Sequence, residues 1–382
     1  AKDFTDNDTI TYGEAVNVMS EVGVIDGYTD GSFQPTTNLT RGAAAKIICN
    51  LILGPTTAAA LGADTAPYSD VPVSNVFSGY IAYCQKEGII SGYADGTFKP
   101  AAPLTGYAFM KMLLGALGYE SDREGYTGAN WSVNVAKQAI AIGLNKGNDD
   151  FSGQAYVNRE EAMLYAFNTL QATMVEYEQN TSIVVNGDTQ VTVQTPAQDK
   201  AWGTGTLNDG HIKADGYVQF AEEYFPKLEK KADTDAFERP AHTWTLDGKE
   251  IGTYVNYDEM VAEYTTAVTG KEVYNVLTAT TVRDCEFYSY LDGTDGNVIK
   301  ADLSRTNNDD LANTDNGVLT QVFVDTEDKE IVITSINTYL AQATASYSES
   351  KEYAPLKAFT GANGASASYN VDVEDVPRCC RC

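Results

Sequence analysis

Gly88-Ile89-Ile90-Ser91-Gly92-Tyr93-Ala94-Asp95-Gly96-Thr97-Phe98-Lys99-Pro100, followed by Leu104-Thr105 and an apolar helical pattern, is the stretch that decides how this chain folds. The phrase stands earlier as Gly23-Val24-Ile25-Asp26-Gly27-Tyr28-Thr29-Asp30-Gly31-Ser32-Phe33-Gln34-Pro35, followed by Leu39-Thr40-Arg41. A worn third form is Gly143-Leu144-Asn145-Lys146-Gly147, then Phe151 and Asn158-Arg159-Glu160-Glu161. From the phenylalanine to the helix start the step is eight residues each time: Phe33 to Arg41, Phe98 to Gly106, Phe151 to Arg159. A phrase repeated in register sets the architecture, because a unit too small to bury its own core must pack on its neighbours.

Each copy reads as helix, turn, helix. In the first, Ala15, Val18, Met19 and Val22 recur at helical spacing and Gly23 ends the helix. Asp30-Gly31 supplies a reversal with a residue at positive φ, and Thr40 is a fitting N-cap for a second helix bearing Ala45, Ile48, Cys49 and Ile52. In the second, Tyr68-Ser69-Asp70 matches Phe4-Thr5-Asp6. Tyr80, Ile81 and Cys84 then form one face, and Thr105 caps a helix with Phe109, Met112, Leu113, Ala116 and Leu117. In the third the Tyr-x-Asp-Gly turn is absent, but Asn158 and Glu161 form a capping box before Met163, Ala166, Phe167 and Leu170. Gly54 to Pro67 reads as a connector.

These residues closely resemble the S-layer homology (SLH) repeat, a wall-anchoring module of bacterial surface proteins. Its phrase is roughly an aromatic-x-Asp, a Trp opening a helix, G-[IV]-x-x-G-Y-x-D-G-x-F-x-P, then [LI]-T-R-A-E. The resemblance covers about residues 1–175 and implies three repeats, at 1–60, 61–120 and 121–175, closed into a mostly helical, pseudo-threefold bundle with grooves between neighbours. The implied ligand is a secondary cell-wall polysaccharide, commonly ending in a pyruvylated sugar. The implied location is the wall or surface layer outside the cell. Trp131 stands where the family has its helix-opening Trp; Thr11 and Val76 hold the equivalent positions in the other copies.

The ligand chemistry falls on a few positions. Arg41 and Arg159 sit one residue after their helix caps, beside N–H groups that favour anions, and a guanidinium makes forked bonds to a carboxylate. The competing reading is a surface arginine pairing with Glu160 or its neighbours. Gly106 holds that position in the second copy, so its groove lacks the charge. Trp131 has two readings, stacking on a sugar or packing at a helix start. Gly27, Asp30, Gly92 and Asp95 read first as turn-formers, with backbone N–H groups able to touch a sugar.

The chain has 382 residues, enough for two or three domains, and its 24 tyrosines and 43% hydrophobic content suit folded ones. A formal net charge of −27 opposes nucleic-acid binding and docking on anionic lipid. The acidity serves solubility, or divalent cations bridge subunits through it. No apolar run approaches the roughly 18–20 residues that span a bilayer. The start at Ala1, without a leader, suits a mature product after signal-peptide removal. Cys49 and Cys84 read as small buried thiols. The C-x-x-C in Cys379-Cys380-Arg381-Cys382 lacks the partners a metal or redox site needs.

After Tyr177 the pattern alternates, which predicts β-rich domains over 176–360 and a linker or tail over 361–382. Hairpins are expected at 182–193 around Asn186-Gly187, at 243–251 around Asp247-Gly248, at 286–299 around Asp292-Gly293, and from Val318–Val324 to Glu330–Ile336. Helical patterns are expected at 217–228 and 258–264. The fold class is therefore α+β, in several domains. His211 and His242 lie in no catalytic phrase, so no enzyme is expected. No cofactor is implied except calcium, for which the Asp-rich loops at 292–297, 307–316 and 325–330 lack the calcium-hand spacing. The expectation is a surface-layer protein that self-associates into a lattice or fibre. The alternative is an exported enzyme or adhesin tethered by the same repeats.

Overall fold

A computed structural model describes residues 2–178, 181–185, 189–193, 195–203, 210–346, 348, 353–359 and 366–372. The fold is α+β, helical in the N-terminal half and β-rich later. The chain divides into two units, Ala1–Lys231 with Trp244–Gly252, and Ala232–Thr243 with Thr253–Cys382.

In the first unit the apolar faces read from the repeats become α1 (Gly13–Glu21), α2 (Arg41–Leu53), α3 (Pro55–Ala59), α4 (Ser78–Lys86), α5 (Gly106–Ala116), α6 (Trp131–Ala141) and α7 (Arg159–Gln171). Thr40 and Thr105 accept the N–H of Ala43 and Ala108, and Asn158 with Glu161 closes a capping box. Each copy's first helix packs on a neighbour's second: α4 on α2, α6 on α5, α1 on α7. The residues before the second helices close a ring. The N–H of Leu39 donates to Val157 O at 2.9 Å, Leu104 to Leu39 O at 3.0 Å and Val157 to Leu104 O at 2.9 Å. All three side chains are buried at this junction.

The unit runs past residue 175, where the sequence placed a boundary. Val175 N–H donates to Leu117 O and Phe220 N–H to Ala172 O, tying the following chain to α5 and α7. β1 (Val175–Glu176) pairs with β4 (Gln198–Asp199), and β2 (Thr181–Val185) pairs antiparallel with β3 (Thr189–Val193). The Asn186-Gly187 turn expected between β2 and β3 lies outside the described residues. The pattern at 217–228 yields only α8 (Phe220–Tyr224), since Pro226 follows.

β5 (Leu228–Thr234), β6 (Pro240–Leu246) and β7 (Lys249–Val255) hydrogen-bond in that order, and the division between the units crosses them. Asp247 and Gly248 both take positive φ between β6 and β7, as an Asp-Gly hairpin requires. Trp244, fully buried, packs edge-on against Phe167 with centroids 5.4 Å apart and donates Nε1–H to Glu14 Oε1 at 2.7 Å.

The second unit holds a mixed sheet in which β8 (Met260–Tyr264), β9 (Glu286–Leu291), β10 (Thr294–Asp295), β11 (Val318–Asp325) and β12 (Glu330–Asn337) lie in the order β10-β9-β12-β11-β8. β12 runs parallel to β9, and the other pairs are antiparallel. Where 258–264 was expected to be helical, Met260–Tyr264 is a strand, because Thr320 to Phe323 offers it a ladder. Among the described residues the α-helix of this unit is α9 (Gly270–Asp284), which the sequence reading passed over. Thr269 and Glu272 form its capping box, and Val273, Leu277 and Val282 pack with Val322, Ile331 and Ile333 of the sheet. β13 (Leu340–Ala343), β14 (Tyr353–Phe359) and β15 (Ser366–Asp372) form an antiparallel sheet. Residues 361–365 and the Cys379–Cys382 tail lie outside the described residues, but Ser366–Ser368, expected in a linker, begins a strand paired with β14.

The acidic loops are capped turns. Asp325 accepts the N–H of Glu327 and Asp328, and Asp292 accepts N–H and Nδ2–H of Asn337. Among the described residues no group of three or more His, Cys, Asp or Glu side chains is arranged to hold a metal ion. Among them, too, no helix is long and apolar enough to cross a membrane.

Candidate functional site

The repeated phrase folds the same way in its first two copies. Asp95 accepts Thr97 N–H at 3.0 Å and Oγ1–H at 2.6 Å; Asp30 accepts Ser32 N–H at 2.9 Å and Oγ–H at 2.7 Å. Both carboxylates are fully exposed and titrate below the usual aspartate range, chiefly through these side-chain and backbone bonds. They shape the turn, as the sequence suggested. The second anchor is the aspartate of the aromatic-x-Asp phrase. Asp70 takes the N–H of Phe98 and Lys99, both at 2.7 Å, and Asp6 takes those of Phe33 and Gln34 at 2.7 and 2.8 Å. Lys99 and Gln34 sit at φ 59° and 56°, so each carboxylate holds a left-handed residue in place. Burial tends to raise the pKa of Asp70, but the two N–H groups outweigh it and the net shift is downward.

Gly92 and Gly27 are required by close approach: a Cβ at Gly92 would collide with the Tyr68 ring, and one at Gly27 would come within 2.7 Å of Phe4. In these two copies the aromatic thus packs against its own turn.

Each turn is gripped by an arginine from the preceding copy in the ring. Arg41 donates Nε–H to Phe98 O at 2.7 Å and Nη2–H to Ser91 O at 3.1 Å, with its guanidinium over Phe98 and Tyr93 at 4.3 and 5.1 Å. Arg159 repeats this on Phe33 O at 2.9 Å and Asp26 O at 3.0 Å, over Tyr28 and Phe33 at 4.7 and 4.9 Å. Burial lowers both guanidinium pKa values, yet arginine stays charged in any folded setting. Two of five N–H donors are used, leaving a free edge on each guanidinium among the described residues.

The anion-attracting helix ends expected beside these arginines are not open. Arg41 N–H donates to Ala102 O and Gly42 N–H to Pro100 O, while Arg159 and Glu160 donate to Thr37 O and Pro35 O. The neighbouring copy has already taken these orphan donors. The side chain, not the helix end, is what remains for a ligand.

Arg41 lines a cavity of about 430 Å³ with Gly92, Tyr93, Lys111, Tyr126 and Trp131. Trp131, half-buried at the start of α6, forms a wall of this cavity, with Lys111 Nζ 5.9 Å from its ring centre. The sequence reading missed Lys111; its signal was a lone cation inside the apolar run Phe109-Met110-Lys111-Met112-Leu113. Loss of hydration lowers the Lys111 pKa, Asp122 opposing weakly. Among the described residues no carboxylate pairs with Arg41 or Lys111.

The other copies differ. Val76, at the position of Trp131, is 79% exposed. At Gly106 a Cβ would stand 3.1 Å from Gly153 Cα and from the Phe151 ring, and Tyr107 meets Phe151 edge-on at 6.1 Å. That junction is closed by aromatic packing where the other two hold an arginine. The seven residues named from sequence are therefore not one site: Arg41, Gly92 and Trp131 meet in the cavity, Asp95 shapes its turn, and Gly27 and Asp30 belong to the first copy's turn, which Arg159 grips.

A family model described as "S-layer homology domain" matches residues 3–45 and 67–106. The chain is 25% identical to Cell surface glycoprotein 1 of Acetivibrio thermocellus over 219 residues, 53% of this chain and 9% of that protein. It is 24% identical to Surface layer protein of Brevibacillus choshinensis over 192 residues, 50% of this chain and 17% of that one. It is also 27% identical to an uncharacterized cell wall amidase of Bacillus anthracis over 168 residues, 41% of this chain and 30% of that one. The chain spans less than a third of the length of each of these relatives. These matches indicate a protein of the cell surface or cell wall.

Proposed function

We propose that the helical unit anchors this chain non-covalently to an anionic polysaccharide of the bacterial wall, through the cavity beside Arg41. One observation carries the reading. In a chain of net charge −27, this cavity presents a guanidinium and an ammonium with which, among the described residues, no carboxylate forms a direct ion pair. A desolvated cation without a partner is unfavourable, and a bound carboxylate supplies one. Trp131 and Tyr93 offer flat faces on which a sugar ring can lie. A pyruvylated terminal sugar combines the carboxylate with the ring.

On this reading residues 1–175 are three copies of one module in pseudo-threefold order. The ring of Leu39, Leu104 and Val157 and the matched grips of Arg41 and Arg159 support it. The grooves are unequal: the Arg41 groove is the main site, the Arg159 groove a weaker one, and the junction at Gly106 is closed. The protein works as an extracellular anchor and structural component, not a catalyst, and its acidic β-rich unit contributes to association with further copies. The relative named as an amidase keeps a tethered enzyme as the competing reading.

The test is co-sedimentation of the full chain with wall sacculi carrying their native polymer, against sacculi stripped of it and sacculi whose polymer lacks pyruvate. Binding to the first alone supports the complete reading. Equal binding to stripped walls defeats it, and equal binding without pyruvate defeats the choice of sugar. Lysis of the sacculi by the protein would favour the enzyme.

A further inference from the structure

Cys49 and Cys84 lie on α2 and α4, the helices that join the first copy to the second. Their Sγ atoms are 3.6 Å apart, and both residues are completely buried. Each thiol also faces the backbone of the other helix, Cys49 towards Tyr80 O at 3.6 Å and Cys84 towards Ala45 O at 3.7 Å. A single buried cysteine is an ordinary small hydrophobe. Two in van der Waals contact across one helix interface, in a chain whose relatives are surface proteins, are a different feature.

We propose that Cys49 and Cys84 are an oxidation site, closing to a disulfide that staples α2 to α4. The oxidant is a low-molecular-weight disulfide. One cysteine thiolate attacks it, forming a mixed disulfide and releasing one small thiolate. The second cysteine thiolate then displaces the other. The two cysteines lose two electrons, the small disulfide gains them, and the two cysteine protons end on the two released thiols. A disulfide spans about 2.05 Å, so the sulfurs approach by about 1.5 Å through side-chain rotation.

The closed fold does not favour exchange. The S–H···S contact and burial push the Cys84 thiol far above its ordinary pKa, so thiolate, the reactive form, is scarce. Oxidation therefore takes place before α4 packs on α2, or when α4 opens, and the state chosen then persists. What the staple secures is the cavity: α2 begins with Arg41, and α4 leads into the Gly88–Phe98 phrase that Arg41 grips. The inference does not depend on the wall ligand.

The full chain is unfolded with reductant and refolded either in reductant or in a mixture of oxidised and reduced glutathione. Remaining thiols are alkylated in denaturant and peptides mapped by mass spectrometry. The expected result after oxidative refolding is a peptide pair joining Cys49 to Cys84, which resists reductant until denaturant is added. The oxidised protein should melt about 5 °C or more above the reduced protein. Cys49→Ser should abolish both the peptide pair and the melting difference. Recovery of Cys49 and Cys84 as alkylated thiols after oxidative refolding overturns the proposal, as does pairing of either with another cysteine. Both readings come from the unmodified chain, so poor folding of Cys49→Ser leaves the decision intact.

Discussion

Arg41 and Lys111 face one cavity but are held differently, and this makes their roles separable. Arg41 is bound to two carbonyls of the neighbouring turn, so Arg41→Ala removes the proposed ligand group and a structural clasp together. Among the described residues Lys111 contributes to no such clasp, and the ring it faces is that of Trp131. Lys111→Met should weaken binding of the purified wall polymer by roughly 5–10-fold, about 1–1.5 kcal/mol, in titration calorimetry. Its melting temperature should not fall, since a desolvated charge has been removed. Arg41→Ala should weaken binding by about 10–150-fold, equivalent to about 1.5–3 kcal/mol, and also lower the melting temperature. Unchanged affinity in Lys111→Met would remove lysine from the site. The turn carboxylates give a pH signature. Asp30, Asp70 and Asp95 have folded pKa values below the ordinary 3.8. A depressed acid stabilises the fold fully above its unfolded pKa and loses that contribution as pH falls through the folded value. Thermal stability should hold to about pH 5 and decline below about pH 4. Asp70→Asn should flatten that decline in a melting series; an unchanged acid profile would show that the turn does not govern it.

At the scale of elements, the recurring device is an aromatic ring laid on a glycine. Tyr68 covers Gly92, Phe4 covers Gly27 and Phe77 covers Gly42. Gly92→Ala should destabilise the first unit by about 1–3 kcal/mol, because the methyl group meets the Tyr68 ring and Thr97 O. Tyr68→Ala in the same chain should make the added methyl tolerable, so a double-mutant cycle by denaturant unfolding should show positive coupling. Additive effects would mean that the ring does not set the glycine requirement. The same scale explains what was and was not legible. The Thr40, Thr105 and Asn158 caps precede amphipathic runs and were readable. α9 carries the same Thr269–Glu272 signal, but its face is sparse and backbone at Thr278 (φ 69°) interrupts it. The reverse error at 258–264 arose because Met260–Tyr264 takes its state from a partner strand 60 residues away in sequence.

For the whole molecule, the first unit is larger than its repeats. Trp244 fills a place against Phe167, and the chain at 172–175 is bonded to 200 and 218–220. A fragment of residues 1–252 should therefore fold and bind sacculi, whereas residues 1–175 should melt lower and aggregate more readily; equal melting of the two would show that the repeats suffice. Trp244→Ala in the full chain should cost about 3–5 kcal/mol, read by urea unfolding. Association between copies must overcome the repulsion of net charge −27. If calcium bridges the capped acidic loops, light scattering at fixed ionic strength should rise with calcium and reverse with chelator. Assembly in sodium chloride alone would assign the effect to screening.

What the sequence determined by itself was local: the repeat register, the helix caps, the Asp-Gly turns, and the positions of the arginines. These follow from short-range chemistry written into contiguous residues. Which residues meet was decided only by the tertiary structure. The ring through Leu39, Leu104 and Val157 sets each turn against its neighbour's helix, and that same ring closed the helix ends that looked open to anions. It brought Arg41, Lys111 and Trp131 from three successive copies to one cavity and shut the junction at Gly106. Contacts with Phe167 and Glu14 placed Trp244 in the helical unit, although its strand pattern pointed elsewhere. The physical reason is common to all of these: burial and hydrogen-bond satisfaction between distant segments leave no trace in the spacing of either segment alone.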